Sequence, residues 1–138
     1  MQITEALADC IMRFEGWQAP NATTYPKGST SWRNRNPGNL RNSYFKAGED
    51  DKGYSIFSSL SVGWSALIED LNDKLTGKSS HKLTSQNTLH DLFNIYAPAL
   101  DKNDPQQYSK IVAGWLCLIY YTNMITPDTK LGDLVQFK

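Results

Sequence analysis

Apolar side chains recur at Ile3, Leu7, Cys10, Ile11 and Phe14 with polar residues between them, a spacing that predicts an amphipathic helix over residues 3–15. Gly16 reads as its stop, and Pro20 argues against continuation. Residues 18–38 are rich in Pro, Gly, Asn, Ser and Thr and read as one long irregular loop, a feature more often functional than filler in a compact domain. The segments 39–46 and 53–57 read as two short strands joined by a polar turn over Ala47–Lys52. Ser58 or Ser59 caps the next helix, about 60–76, with Trp64, Leu67, Ile68, Leu71 and Leu75 on one side.

A Gly/Ser/Lys-rich connection over 77–87 leads to Thr88 and Asp91, spaced as an N-cap pair. The short helix they open turns Leu89, Leu92, Phe93 and Tyr96 inward and ends at Pro98. Asp104–Pro105 combines a capping side chain with proline at the first helical position. It starts the most apolar helix, 105–122, through Tyr108, Ile111, Val112, Trp115, Leu116 and Ile119. Thr126–Pro127 starts a last short helix around 128–135. With no internal repeat and no linker, the pattern gives one α+β, mainly α domain over residues 1–138 with a small hairpin.

Composition changes this picture little. A chain of 138 residues with 40% apolar and 20% charged residues can bury one continuous core and lacks the signature of disorder. No apolar run approaches the roughly 20 residues of a membrane span, and no secretory signal is seen, so membrane insertion is not expected. The net charge is zero, but residues 1–48 carry six Lys/Arg against three Asp/Glu and residues 49–138 carry eight against eleven. That asymmetry favours an acidic ligand near the N-terminal half and argues against nucleic acid or anionic lipid as partners. Cys10 and Cys117 each lie on the apolar side of a predicted helix and read as buried thiols, with pairing left open.

Chemistry concentrates around Glu15. A carboxylate in the last turn of a helix sits at the negative end of the macrodipole, and Phe14 and Trp17 flank it. Both effects disfavour its charged form, as a general acid working near neutral pH requires; the competing reading is a solvated Glu at a frayed end. Downstream, Trp32-Arg33-Asn34-Arg35-Asn36-Pro37-Gly38-Asn39-Leu40-Arg41 supplies donors and acceptors suited to sugar hydroxyls, N-acetyl groups and carboxylates. Trp17, Trp32, Tyr44, Tyr54 and Phe57 offer flat apolar faces to sugar rings. Equally, Asn-Pro-Gly-Asn is a turn whose Asn side chains can serve the backbone alone.

The helix ending in Phe-Glu-Gly-Trp, followed by Arg-Asn-Arg-Asn-Pro-Gly-Asn-Leu-Arg, Gly-Tyr-Ser-Ile-Phe-Ser-Ser and Gly-Trp-Ser-Ala-Leu, resembles the lysozyme-like superfamily. The branch it is most similar to is that of small phage-associated and bacterial lytic domains with an NNPGNLR signature, related to lytic transglycosylases and goose-type lysozymes. Leu-Phe-Asn-Ile-Tyr-Ala-Pro, Asp101–Pro105 and Tyr108 also fit. The resemblance implies a lysozyme-like fold, with a helical lobe and a small hairpin flanking a substrate cleft. It implies peptidoglycan as substrate, cut at the β-1,4 bond after N-acetylmuramic acid, with Glu15 protonating the glycosidic oxygen. Asn36 and Asn39 fall in the signature, and Tyr96 resembles the tyrosine that lytic transglycosylases place near the acid. With Trp32, Arg41, Tyr54 and Phe57 these form the expected substrate-binding set. Arg35 departs from the signature, which commonly has Asn there.

No Asp or Glu lies between Glu15 and Glu49. Glu49, Asp50 and Asp51 fall in the expected turn, and Asp101 and Asp104 read as turn and cap, so a single essential acid is favoured over the usual carboxylate pair. Both a 1,6-anhydro product and hydrolysis by a held water fit that. His81 and His90 lack partners at metal-ligand spacing, and Asp101-Lys102-Asn103-Asp104 lacks the EF-hand pattern, so neither metal nor cofactor is expected. The resulting expectation is a monomeric, phage- or prophage-type bacteriolytic enzyme reaching the wall by virion delivery or a separate export route. The competing classes are a glycan-binding or virion structural module of the same fold, a chitin-cleaving enzyme and, least supported at zero net charge, a nucleic-acid surface along Arg33–Arg41.

Overall fold

A computed structural model describes residues 1–78, 83–96 and 104–138, so His81, Pro98, Asp101, Lys102 and Asn103 lie outside the described residues. The chain is mainly helical with a small two-stranded antiparallel sheet, an α+β arrangement. Its elements are α1 (Ile3–Phe14), α2 (Thr30–Arg33), β1 (Gly48–Glu49), β2 (Ser55–Ile56), α3 (Leu60–Leu75), α4 (Leu89–Tyr96), α5 (Pro105–Tyr120) and α6 (Leu131–Leu134). They group into two compact units, one of Met1–Cys10 with Asp70–Lys138 and one of Ile11–Glu69. No helix among the described residues is long and apolar enough to cross a membrane.

In the first unit, Leu7, Leu71, Leu89, Leu92, Phe93, Tyr108, Val112, Leu116, Leu131 and Leu134 are fully or almost fully buried. The α4 and α5 faces meet through Phe93 and Tyr108, whose rings stack with centroids 4.3 Å apart. The helix starts follow their sequence signals. Thr88 and Asp91 form a reciprocal capping box, each side chain accepting the other's backbone N–H at 3.1 and 2.9 Å. Asp104 accepts from Gln106 and Gln107 N–H and Pro105 follows it. The last helix is shorter than expected: Thr126 and Thr129 exchange turn hydrogen bonds, and α6 begins only at Leu131. Cys10 and Cys117 are not joined by a disulfide.

In the second unit, Ile11, Phe57, Ala66 and Leu67 form the apolar centre. The expected long loop holds α2, opened by Ser29, whose Oγ accepts the Trp32 N–H. Ser29 also ties the two ends of segment 18–29 together, donating its N–H to Gln18 O and accepting the Gln18 N–H on Oγ. The segment is thus a closed surface loop rather than loose chain.

The hairpin differs from the expected one. β1 lies at 48–49, inside the segment read as a turn, and pairs Gly48 with Ile56 and Glu49 with Ser55. On the other side of β2, Ser55 donates its N–H to Leu40 O, and Arg41 bridges Tyr54. Asn42 at φ 54 ends that pairing, so 39–46 is not a continuous strand. The turn narrows to 50–53 because Asp50 Oδ1 accepts both Lys52 and Tyr54 N–H, with Gly53 at φ 86. Ser59, one of the two expected caps, opens α3 by accepting the Val62 N–H.

Candidate active site

Glu15 is the first residue beyond α1. Its N–H still donates to Ile11 O at 2.8 Å, and then Gly16, at φ 77, and Trp17 donate back to Arg13 O and Met12 O. This is the Schellman closure, in which a left-handed glycine lets two N–H groups satisfy the last turn. The expected Gly16 stop is therefore observed, and it fixes where the carboxyl group leaves the helix. Phe14, Glu15 and Trp17 are all half-buried.

The signature loop builds upward from Asn36. Asn36 is fully buried, donates from Nδ2 to Leu40 O and Ser55 O, and accepts the Leu40 N–H on Oδ1, all at 2.9 Å. Its whole side chain is spent on backbone, so it is a scaffold residue and not the substrate ligand expected. The bonds to Leu40 and Ser55 hold the Asn36–Asn39 turn, closed by Asn39 N–H to Asn36 O, against β2. That turn presents Asn39, at φ 48, whose Nδ2 donates to Glu15 Oε2 at 3.2 Å. Asn39 Oδ1 is buried, and among the described residues no donor reaches it.

α3 supports the same loop from below. Gly63 lies in its first turn, and a Cβ there would stand 2.0 Å from Arg35 O and 3.2 Å from Phe57 Cδ2. The backbone of the signature segment therefore rests directly on the helix. Phe57 is fully buried in this packing, so its ring cannot offer a face to sugar as expected. Tyr54 is half-buried with the Arg41 guanidinium over its ring at 4.2 Å, and Arg41 also donates to Lys52 O at 2.6 Å. One face of Tyr54 is thereby occupied by Arg41, so an exposed guanidinium lies stacked on a half-buried ring. Trp32 is half-buried, with its ring packed where a Gly28 side chain would be, 2.5 Å from Cε3. Tyr44 is almost fully exposed and meets Phe45 edge-on. In the other unit, Tyr96 is half-buried, edge-on to Phe93 and Tyr108, with Lys74 Nζ 5.7 Å from its ring centroid.

Two of the three turn carboxylates, Glu49 and Asp50, are engaged elsewhere. Glu49 is paired with Lys46. Asp50 holds the turn with one oxygen and accepts Asn34 Nδ2 with the other at 2.9 Å. Burial pushes the Asp50 carboxyl up, but the hydrogen bonds from Asn34, Tyr54 and Lys52 together outweigh it and hold the group below the usual carboxylate range. Asp51 is exposed. The Asn34–Asp50 tie escapes a reading of the signature as ligand set; the Asp-x-x-Gly spacing over 50–53 is the signal that marks Asp50 as a turn residue.

Within the second unit the structure thus brings together Glu15 and Asn39, supported by Asn36, and sets Arg41 with Tyr54 two residues along the chain. No protein-family model, no curated protein and no solved structure matches the chain.

Proposed function

We propose that the protein is a lysozyme-like glycosidase that cleaves the β-1,4 bond of peptidoglycan, with Glu15 as its single general acid. The observation that carries this reading is the hydrogen bond from Asn39 Nδ2 to Glu15 Oε2, which aims a half-buried carboxyl group from a fixed helix end. General acids need this combination of limited solvent access and a defined direction for the proton. Glu15 gives its proton to the glycosidic oxygen as the C–O bond breaks, and the positive charge that develops at the anomeric carbon is quenched by an oxygen that gives up its own proton, either water or the same sugar's 6-hydroxyl. The engagement of Glu49 and Asp50 in other bonds supports a mechanism without a second carboxylate. The exposed Arg41 guanidinium, stacked on Tyr54, suits the hydroxyls and carboxylates of a murein strand. Phage- or prophage-type delivery to the wall goes with this reading.

Purified murein incubated with the wild-type protein is expected to release soluble fragments. Glu15→Gln, which keeps the shape and removes the proton, is expected to lower release by at least about 10²- to 10⁴-fold with unchanged thermal unfolding. Retained release in that variant overturns the assignment. Mass spectrometry of the fragments separates the two product types, because a 1,6-anhydro end is lighter than a hydrolysed reducing end by one water.

A further inference from the structure

Asn39 combines a permitted turn backbone with one feature that weakens the fold. Its backbone lies at φ 48, in the left-handed region that glycine enters without steric penalty and asparagine more readily than other side chains. Its Oδ1 is buried, with no donor among the described residues, and a buried acceptor in that state is unfavourable. Asn36, three residues earlier, uses both ends of its amide. Asn39 uses Nδ2 toward Glu15. A buried polar atom left without a partner persists only where the surrounding structure enforces it, and a catalytic role is one of the reasons such an atom is kept.

We propose that Asn39 is the positioning residue of the acid, kept at the expense of stability. The proposal rests on Glu15 being that acid. An N–H held at Oε2 selects one orientation of the carboxyl group before substrate arrives. When Glu15 loses its proton to the glycosidic oxygen, the charge left on the carboxylate meets a donor already in place, so no reorganisation is needed at that moment. The left-handed backbone brings the short Asn side chain to this point, and the orphaned Oδ1 is the consequence of turning Nδ2 toward the acid.

Three measurements test this. Asn39→Gly removes the orphan and adopts φ 48 freely, so its Tm is expected at or above that of wild type. Its rate of murein cleavage is expected to fall on the order of 10²-fold, the scale of a misplaced catalytic group. Binding of murein is expected to stay within about threefold, which places the loss in kcat rather than KM. Asn39→Asp keeps the shape and the left-handed tolerance but lacks the N–H, so it is expected to cleave as slowly as the glycine variant. A Tm several degrees lower in Asn39→Gly, or wild-type cleavage by either variant, overturns the proposal. In amide NMR spectra the Asn39 Nδ2 protons are expected to shift on Glu15→Gln, and an unmoved signal overturns it too. If the wild-type protein releases no fragments, the activity reading fails, while the amide signal and the Tm still decide whether Asn39 holds Glu15.

Discussion

Arg35 sits at φ 52, a backbone region in which Asn is enriched and a long straight side chain is not. The signature this segment resembles commonly has Asn there, and the left-handed backbone gives that preference a physical cause unrelated to substrate. The Arg35 side chain reaches Phe57 O at 3.5 Å, a long contact from a residue that is otherwise exposed. Arg35→Asn is therefore expected to stabilise the protein by about 0.5–1 kcal/mol, seen as a higher urea midpoint at unchanged slope. A lower midpoint shows that the Phe57 contact outweighs the backbone term. Residue identity at this scale was only half legible in the sequence. Asn36 and Asn39 look alike as two amides flanking Pro-Gly. Only tertiary contact separates them: Leu40 and Ser55 consume one, and the left-handed turn hands the other to Glu15. Phe57 read as an available ring for the same reason, since a strand alternation says which face is apolar but not whether that face is covered.

At the scale of elements, three helix ends were legible because each depends on a few adjacent residues, whereas the start expected at Thr126–Pro127 is a turn and α6 begins at Leu131. The Gly16 closure, the Thr88–Asp91 box and the Asp104–Pro105 start are local chemistry, and all three occur as read. The strand register and α2 were not, because β1 depends on what Asp50 does across a turn, and α2 is too short to show a period. Gly63 shows how an element-scale contact hides in a helix. In an open helix Gly→Ala gains about 0.5–1 kcal/mol from propensity. Gly114 in α5 has nothing within 4 Å of its would-be Cβ, and Gly114→Ala is expected to show that gain. Gly63→Ala places a methyl 2.0 Å from a backbone oxygen of the signature segment, which cannot swing aside as a side chain can. A loss of about 2 kcal/mol or more is expected, with a fall in Tm, because the loop or the helix must shift. Equal Tm changes at the two glycines refute the close approach of Arg35 to α3.

For the molecule as a whole, acid sensitivity is expected in both compact units through one carboxylate in each. Asp91 in the first unit accepts the Thr88 N–H and Asn87 Nδ2, and these bonds hold its carboxyl below the ordinary value of 3.8 against a smaller opposing effect of burial. Asp50 in the second unit is held low by Asn34, Tyr54 and Lys52 despite burial. Lowered folded-state values mean that the unfolded chain binds protons first as pH falls. Each group's stabilisation is therefore fully present above its unfolded value, near 3.8, and is lost as pH drops through the depressed folded value. Between pH 5 and 8 these two groups contribute no slope. Asp91→Asn and Asp50→Asn remove the titration while keeping a similar shape. Urea unfolding at pH 7 and again at about pH 3 should show a smaller drop in stability for each variant than for wild type, and the smallest for the double variant. The two effects should add, since the carboxylates share no partner and belong to different units. An undiminished drop in either single variant means that the hydrogen bonds to that carboxylate do not set the acid limit of the fold.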